Sequence, residues 1–140
     1  MSKCVVLQSV EIEGFKVVPM GSLTMARSLK GEGGRFRAPH HSCSVTTVLG
    51  ELCIAAGPKS VLYLDEAQGF SGQSMREVTR YWNDMDPEVR PTLVVHLETG
   101  TRSSDGTWRP LPPMDERYEF IMGVVPMVDE HIIYGGIDNE

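Results

Sequence analysis

The sequence predicts one α/β domain, spanning residues 1–140, with a small, mostly parallel sheet and few flanking helices. Three observations carry this. Val61–Leu64 and Pro91–Leu97 are apolar runs without polar alternation, the pattern of strands buried on both faces. Between them, Ser71 stands as a helix N-cap, Met75, Val78 and Trp82 recur at helical spacing, and Pro87 stops the pattern. A length of 140 residues suits one domain, and 41% hydrophobic with 23% charged residues suits a packed core. Strand–helix–strand order with buried strands defines the α/β class.

In chain order, Val5–Val10 and Phe15–Val18 have the apolar density of strands, with Glu11–Gly14 as the turn between them. Ser22–Leu29 predicts a short helix, with Leu23, Ala26 and Arg27 at helical spacing. Lys30–Gly34 (KGEGG) predicts a loop, and Pro39 discourages helix across Arg35–Ser44. Val45–Leu49 and Glu51–Ala55 read as strand-like pieces around Gly50, followed by a turn over Ala56–Lys59. Strand Val61–Leu64 carries Tyr63 as a core residue with its hydroxyl satisfied, and Gly72–Met85 is a helix. After strand Pro91–Leu97, the stretch 99–113 predicts a long surface loop. Its Arg102, Trp108 and Arg109 suit a nucleic acid or a protein partner. Tyr118–Val125 predicts a third strong strand, and His131–Tyr134 a weaker one at the sheet edge.

Composition excludes several classes. No run of about 18 apolar residues exists, so no membrane span is predicted. The N-terminus lacks the pattern of a signal peptide, and we expect a cytoplasmic protein. Cys4, Cys43 and Cys53 are odd in number and widely spaced, which predicts free thiols. A zinc site from His40, His41 and Cys43 would lack an evident fourth ligand. Net charge is −6, unevenly spread: residues 1–44 hold six basic and three acidic residues (+3), and the remainder seven and sixteen (−9). A basic first third can meet the phosphates of a nucleic acid, or face the acidic remainder of its own domain.

The chemistry concentrates at SVLYLDEAQGF, Ser60–Phe70. An apolar strand ending in Asp-Glu is the Walker B pattern. Asp65 is then placed to order magnesium and its waters, and Glu66 to activate or orient the attacking water. Ligands of open α/β sheets bind at the carboxyl ends of strands, where both would sit.

A second block stands upstream. Phe36, Arg37, Ala38, Pro39, His40 and His41, followed by Ser42 and Ser44, resemble a signature of magnesium-chelatase-like AAA+ ATPases. Gly50–Ser71 resembles the next block of that family. The resemblance covers about Gly34 to Tyr81 and implies a shortened AAA+, P-loop-like core. Its ligands would be ATP and Mg²⁺, with Glu66 as the catalytic carboxylate, Asp65 at the metal, and Arg35, Arg37, His40 and His41 near the cofactor.

Around these blocks the family pattern is incomplete. Val17–Leu29 resembles a P-loop and first helix with the middle removed, lacking the lysine and second glycine of G-x-x-x-x-G-K-[ST]. Arg117–Met127 resembles the strand that ends on a γ-phosphate-sensing Asn-Pro, but Val125 stands at the Asn position. No lid helix follows before Glu140. Losing one donor that stabilises the transferred phosphoryl typically costs about 10²–10³ in rate. The expectation is therefore a degenerate AAA+-like protein that does not hydrolyse ATP efficiently and serves as an interaction or regulatory module, with a protein partner or a homo-oligomer. Two alternatives stand beside it. One is a magnesium-dependent ATP-binding protein or ATPase with an atypical cradle from Lys30, Arg35, Arg37 and the glycines of KGEGG. The other is a nucleic-acid-binding accessory protein.

Overall fold

The computed structural model describes residues 3–9, 22–98, 100–102, 108–110, 114–125 and 128–134. The strand Phe15–Val18, the turn before it and the P-loop-like part of Val17–Leu29 up to Gly21 lie outside the described residues. The elements run β1 (Cys4–Ser9), α1 (Ser22–Ser28), β2 (Phe36–Arg37), α2 (Val45–Ile54), β3 (Val61–Leu64), α3 (Gly72–Asp84), β4 (Thr92–Glu98), β5 (Gly100–Arg102), β6 (Trp108–Pro110), α4 (Met114–Val124) and β7 (Glu130–Tyr134). Five strands form one sheet in the order β2-β3-β4-β1-β7, and every pairing in it is parallel. The fold is α/β, as the apolar runs predict, and β7 closes one edge. No helix among the described residues is long and apolar enough to cross a membrane.

Both faces of the sheet are covered, which is why its central strands show no polar alternation. One face presents Cys4, Val6, Leu62, Leu64, Leu93, Val95 and Leu97 to a core shared with α2, α3 and α4. The other presents Val5, Leu7, Val61, Tyr63 and Val94 to α1 through Ala26, Met25 and Leu29. Handedness accounts for this split. The step from β1 to β2 runs one way along the sheet, and the steps β2→β3, β3→β4 and β4→β7 run the other way. Crossovers of one hand then put α1 on one face and α2, α3 and α4 on the opposite face.

Three expectations are corrected. Val45–Ala55 is not two strand-like pieces but one helix. Ser44 caps it, accepting from the Thr47 amide at 3.2 Å, and Val48 and Leu52, four apart, bury in the core. The β-branched residues of VTTV favour a strand locally, but capping and burial outweigh a preference worth a few tenths of a kcal/mol per residue, about 0.7 at most. Gly50 sits mid-helix with open space beside it. Tyr118–Val125 is not a strand either. It belongs to α4, whose Ile121 is fully buried, and Val125 lies in the core just past the helix end, its amide bonded to the Ile121 carbonyl at 3.0 Å. Parallel strands β4 and β7 need a crossover over one face, and α4 supplies it. The stretch 99–113 is not wholly loop: β5 and β6 pair antiparallel within it, with Arg102 opposite Trp108.

Candidate functional site

Strand β3 ends on the Leu64–Asp65 peptide, and the chain turns at once. Glu66 adopts a left-handed conformation (φ 51°, ψ 54°), the one non-glycine residue with positive φ among the described residues. Such a backbone is costly and is found where a site holds it in place. A short 3₁₀ turn, Ala67–Gly69, follows. Ser71 then caps α3, accepting from the Ser74 amide at 3.0 Å.

Asp65 is held by its neighbours through one oxygen. Its Oδ1 accepts from Tyr63 Oη at 3.0 Å, from the Glu66 amide at 2.9 Å and from His96 Nδ1 at 2.6 Å. Register explains the last contact. Leu64 pairs with Val95 across β3 and β4, so the next residue of each strand stands at the same level. The His96 ring is buried, whereas Asp65 is half exposed. The hydrogen bond from His96 holds the Asp65 carboxyl below its ordinary range; partial burial opposes this, and the Tyr63 hydroxyl and Glu66 amide add to it. Oδ2 takes no hydrogen bond from the described residues.

The end of β2 forms the opposite wall. Ala38, Pro39, His40 and His41 face Tyr63, Asp65 and Glu66 across a cleft of about 260 Å³, with Leu23 of α1 at its side. His41 Nε2 lies 3.2 Å from Glu66 Oε2. The His41 ring packs on Gly69, where an added Cβ would stand 2.9 Å from Cγ, so a glycine is needed for this approach. His40 stacks beside His41 with ring centroids 4.1 Å apart. Its Nδ1 accepts from the Ser42 amide at 3.1 Å, so the neutral ring carries its proton on Nε2.

The structure therefore brings Asp65, Glu66, His40 and His41 together at the carboxyl edge of the sheet. Open α/β sheets bind ligands at this carboxyl edge; the crossovers change face between β4 and β1, whereas the cleft is lined from the neighbouring ends of β2 and β3. Arg35 and Arg37 are placed elsewhere. Arg37 pairs with Glu51 of α2 through both its Nε and its Nη2, the latter at 2.9 Å from Oε1. Arg35 Nη1 donates to the Ile54 carbonyl at 3.2 Å. Nearby cations are also spent within the domain: Lys30 Nζ reaches the Gly31 and Gly34 carbonyls, each at 3.3 Å, and Arg27 lies over the Phe36 ring. Val125, which the resemblance sets against a phosphate-sensing Asn at a strand end, instead lies buried just past the end of helix α4. Among the described residues no three His, Cys, Asp or Glu side chains converge as a metal site.

Sequence reasoning gave His96 no role. A lone polar residue in the apolar run TLVVHLE was the available signal, but its partner is set by sheet register. No protein-family model matches this chain, and no curated protein matches it.

Proposed function

We propose that the chain is a degenerate AAA+-like core, similar to magnesium-chelatase-like ATPases, that does not turn ATP over and serves as an interaction or regulatory module. The observation that carries this is the lining of the cleft. Two carboxylates and two histidines face it, and no lysine or arginine among the described residues does. Phosphoryl transfer needs positive charge on the transferred group, and each lost donor costs about 10²–10³ in rate. Arg37 of the Phe36–His41 block and Arg35 just before it are engaged elsewhere, by Glu51 and by the Ile54 carbonyl respectively. Glu66, to which the resemblance assigns the aiming of a water, contacts His41. The test is steady-state ATP turnover by the wild type beside Glu66→Gln. The reading expects the same background rate in both; turnover well above background that vanishes in Glu66→Gln would defeat it.

One observation favours a second reading, magnesium-dependent nucleotide binding without efficient hydrolysis. Asp65 offers one unshared carboxylate oxygen to the cleft. Mg²⁺ keeps several waters and commonly takes one or two carboxylates plus substrate phosphates, so a single oxygen fits it. Asp65 would hold the ion through Oδ2, and the nucleotide's phosphates would supply the remaining charged ligands. Lys30, Arg35 and Arg37 do not form a cradle beside it, so this reading concerns the metal side of the site alone.

A further inference from the structure

We infer that His96 is the positioning residue that decides which oxygen of Asp65 faces the cleft. This rests on the magnesium-dependent reading above. Three donors converge on Oδ1, which exhausts the lone pairs of that atom and leaves Oδ2 as the oxygen available to a ligand. The three donors are not equivalent. Tyr63 lies two residues before Asp65 on the same strand, and the Glu66 amide is the next group along the chain. Both belong to the strand and turn that carry Asp65. His96 comes from the neighbouring strand, makes the shortest of the three contacts at 2.6 Å, and has a buried ring. It alone among them ties the carboxylate to the centre of the sheet.

A carboxylate fixed in this way presents Oδ2 in one direction without an ordering cost when a hydrated cation arrives. Groups that orient a metal-facing ligand typically carry about 10- to 100-fold of the metal affinity. Replacing the ring donor with an apolar side chain removes the one cross-strand hold and loosens the carboxylate, which keeps only the two donors of its own segment. A donor restored at the place of Nδ1 holds it again.

The experiment is a calorimetric titration of the full chain with ATP in the presence of Mg²⁺ and, separately, of EDTA. The readout is the factor by which Mg²⁺ strengthens binding, compared for the wild type, His96→Leu, His96→Asn and His96→Gln. The asparagine amide nitrogen takes the place of Nδ1, and the glutamine nitrogen reaches the place of Nε2. The magnesium factor should fall by about tenfold or more in His96→Leu and His96→Gln, and stay near wild type in His96→Asn. Thermal unfolding of each variant reports folding; if His96→Leu does not fold, the Asn–Gln pair decides. Equal factors in Asn and Gln, or a wild-type factor in all three variants, would overturn the inference. So would a wild type with no magnesium effect, which would still leave the non-hydrolysing reading standing, because that reading is tested by turnover.

Discussion

Two carboxylates, fourteen residues apart in sequence, show what separates a structural charge from a chemically available one. Glu51 gives both oxygens to Arg37, across from α2 to β2. Asp65 gives one oxygen to three donors and keeps the other toward a cleft. Both are held below the ordinary carboxylate range, Glu51 chiefly by its hydrogen bond from Arg37 and Asp65 chiefly by that from His96. A depressed pKa therefore does not distinguish the two carboxylates. The number of unshared oxygens and the space in front of them do.

The comparison can be broken most severely through the backbone beneath the closed pair. An added Cβ at Gly34 would stand 2.0 Å from the Lys59 carbonyl oxygen and 2.5 Å from its carbon. These are main-chain atoms, so the β2–β3 connection must shift. We expect Gly34→Ala to cost about 3 kcal/mol of stability in denaturant unfolding, at the upper end for overpacking. Less severe is Arg37→Ala, which leaves Glu51 unpaired. It should lower the melting temperature by a few degrees and leave nucleotide binding unchanged.

Backbone strain sharpens the contrast from the other side. Glu66 holds a left-handed conformation that glycine adopts freely. Glu66→Gly should raise stability by about 1 kcal/mol, less the small worth of an exposed contact with His41. A loss of stability would mean that the Glu66 side chain holds the turn.

Acid titration separates the two carboxylates again. Each has a folded pKa below its ordinary value, so each contributes stability that is present above that value and is lost as pH falls through the folded one. The decline begins below 4.5 for Glu51 and below 3.8 for Asp65. Glu51→Gln should remove the upper part of the acid-induced fall in melting temperature, and Asp65→Asn the lower part. The smallest effect concerns the thiols. Burial pushes Cys4 up to about 12, while Cys53 is exposed. At pH 8 an alkylating reagent should modify Cys53 and spare Cys4 in the folded protein.

Much of the frame was legible because its signals are local. VLYL and TLVVHL are apolar without alternation, and Ser71 announces α3 in one residue. Their placement as parallel neighbours follows. VTTVLGELCI and YEFIMGVV were misjudged because β-branched and aromatic residues favour strands in isolation. What makes them helices is the Ser44 cap and the burial of Val48, Leu52 and Ile121 against α3 and the sheet, which are tertiary facts. At the site, Asp65, Glu66, His40 and His41 were legible through motif order. Arg37 was not separable from them, since its partner lies on another element. His96 was hidden for the same reason: its meaning is a register position opposite Asp65.

The most direct measurement is a calorimetric titration of Mg²⁺·ATP into the wild type, Asp65→Ala and Glu51→Gln. The account predicts magnesium-dependent binding in the wild type and in Glu51→Gln, and its loss in Asp65→Ala. Equal behaviour of the two variants, or no magnesium-dependent heat in the wild type, would contradict the claim that Asp65 is the available carboxylate.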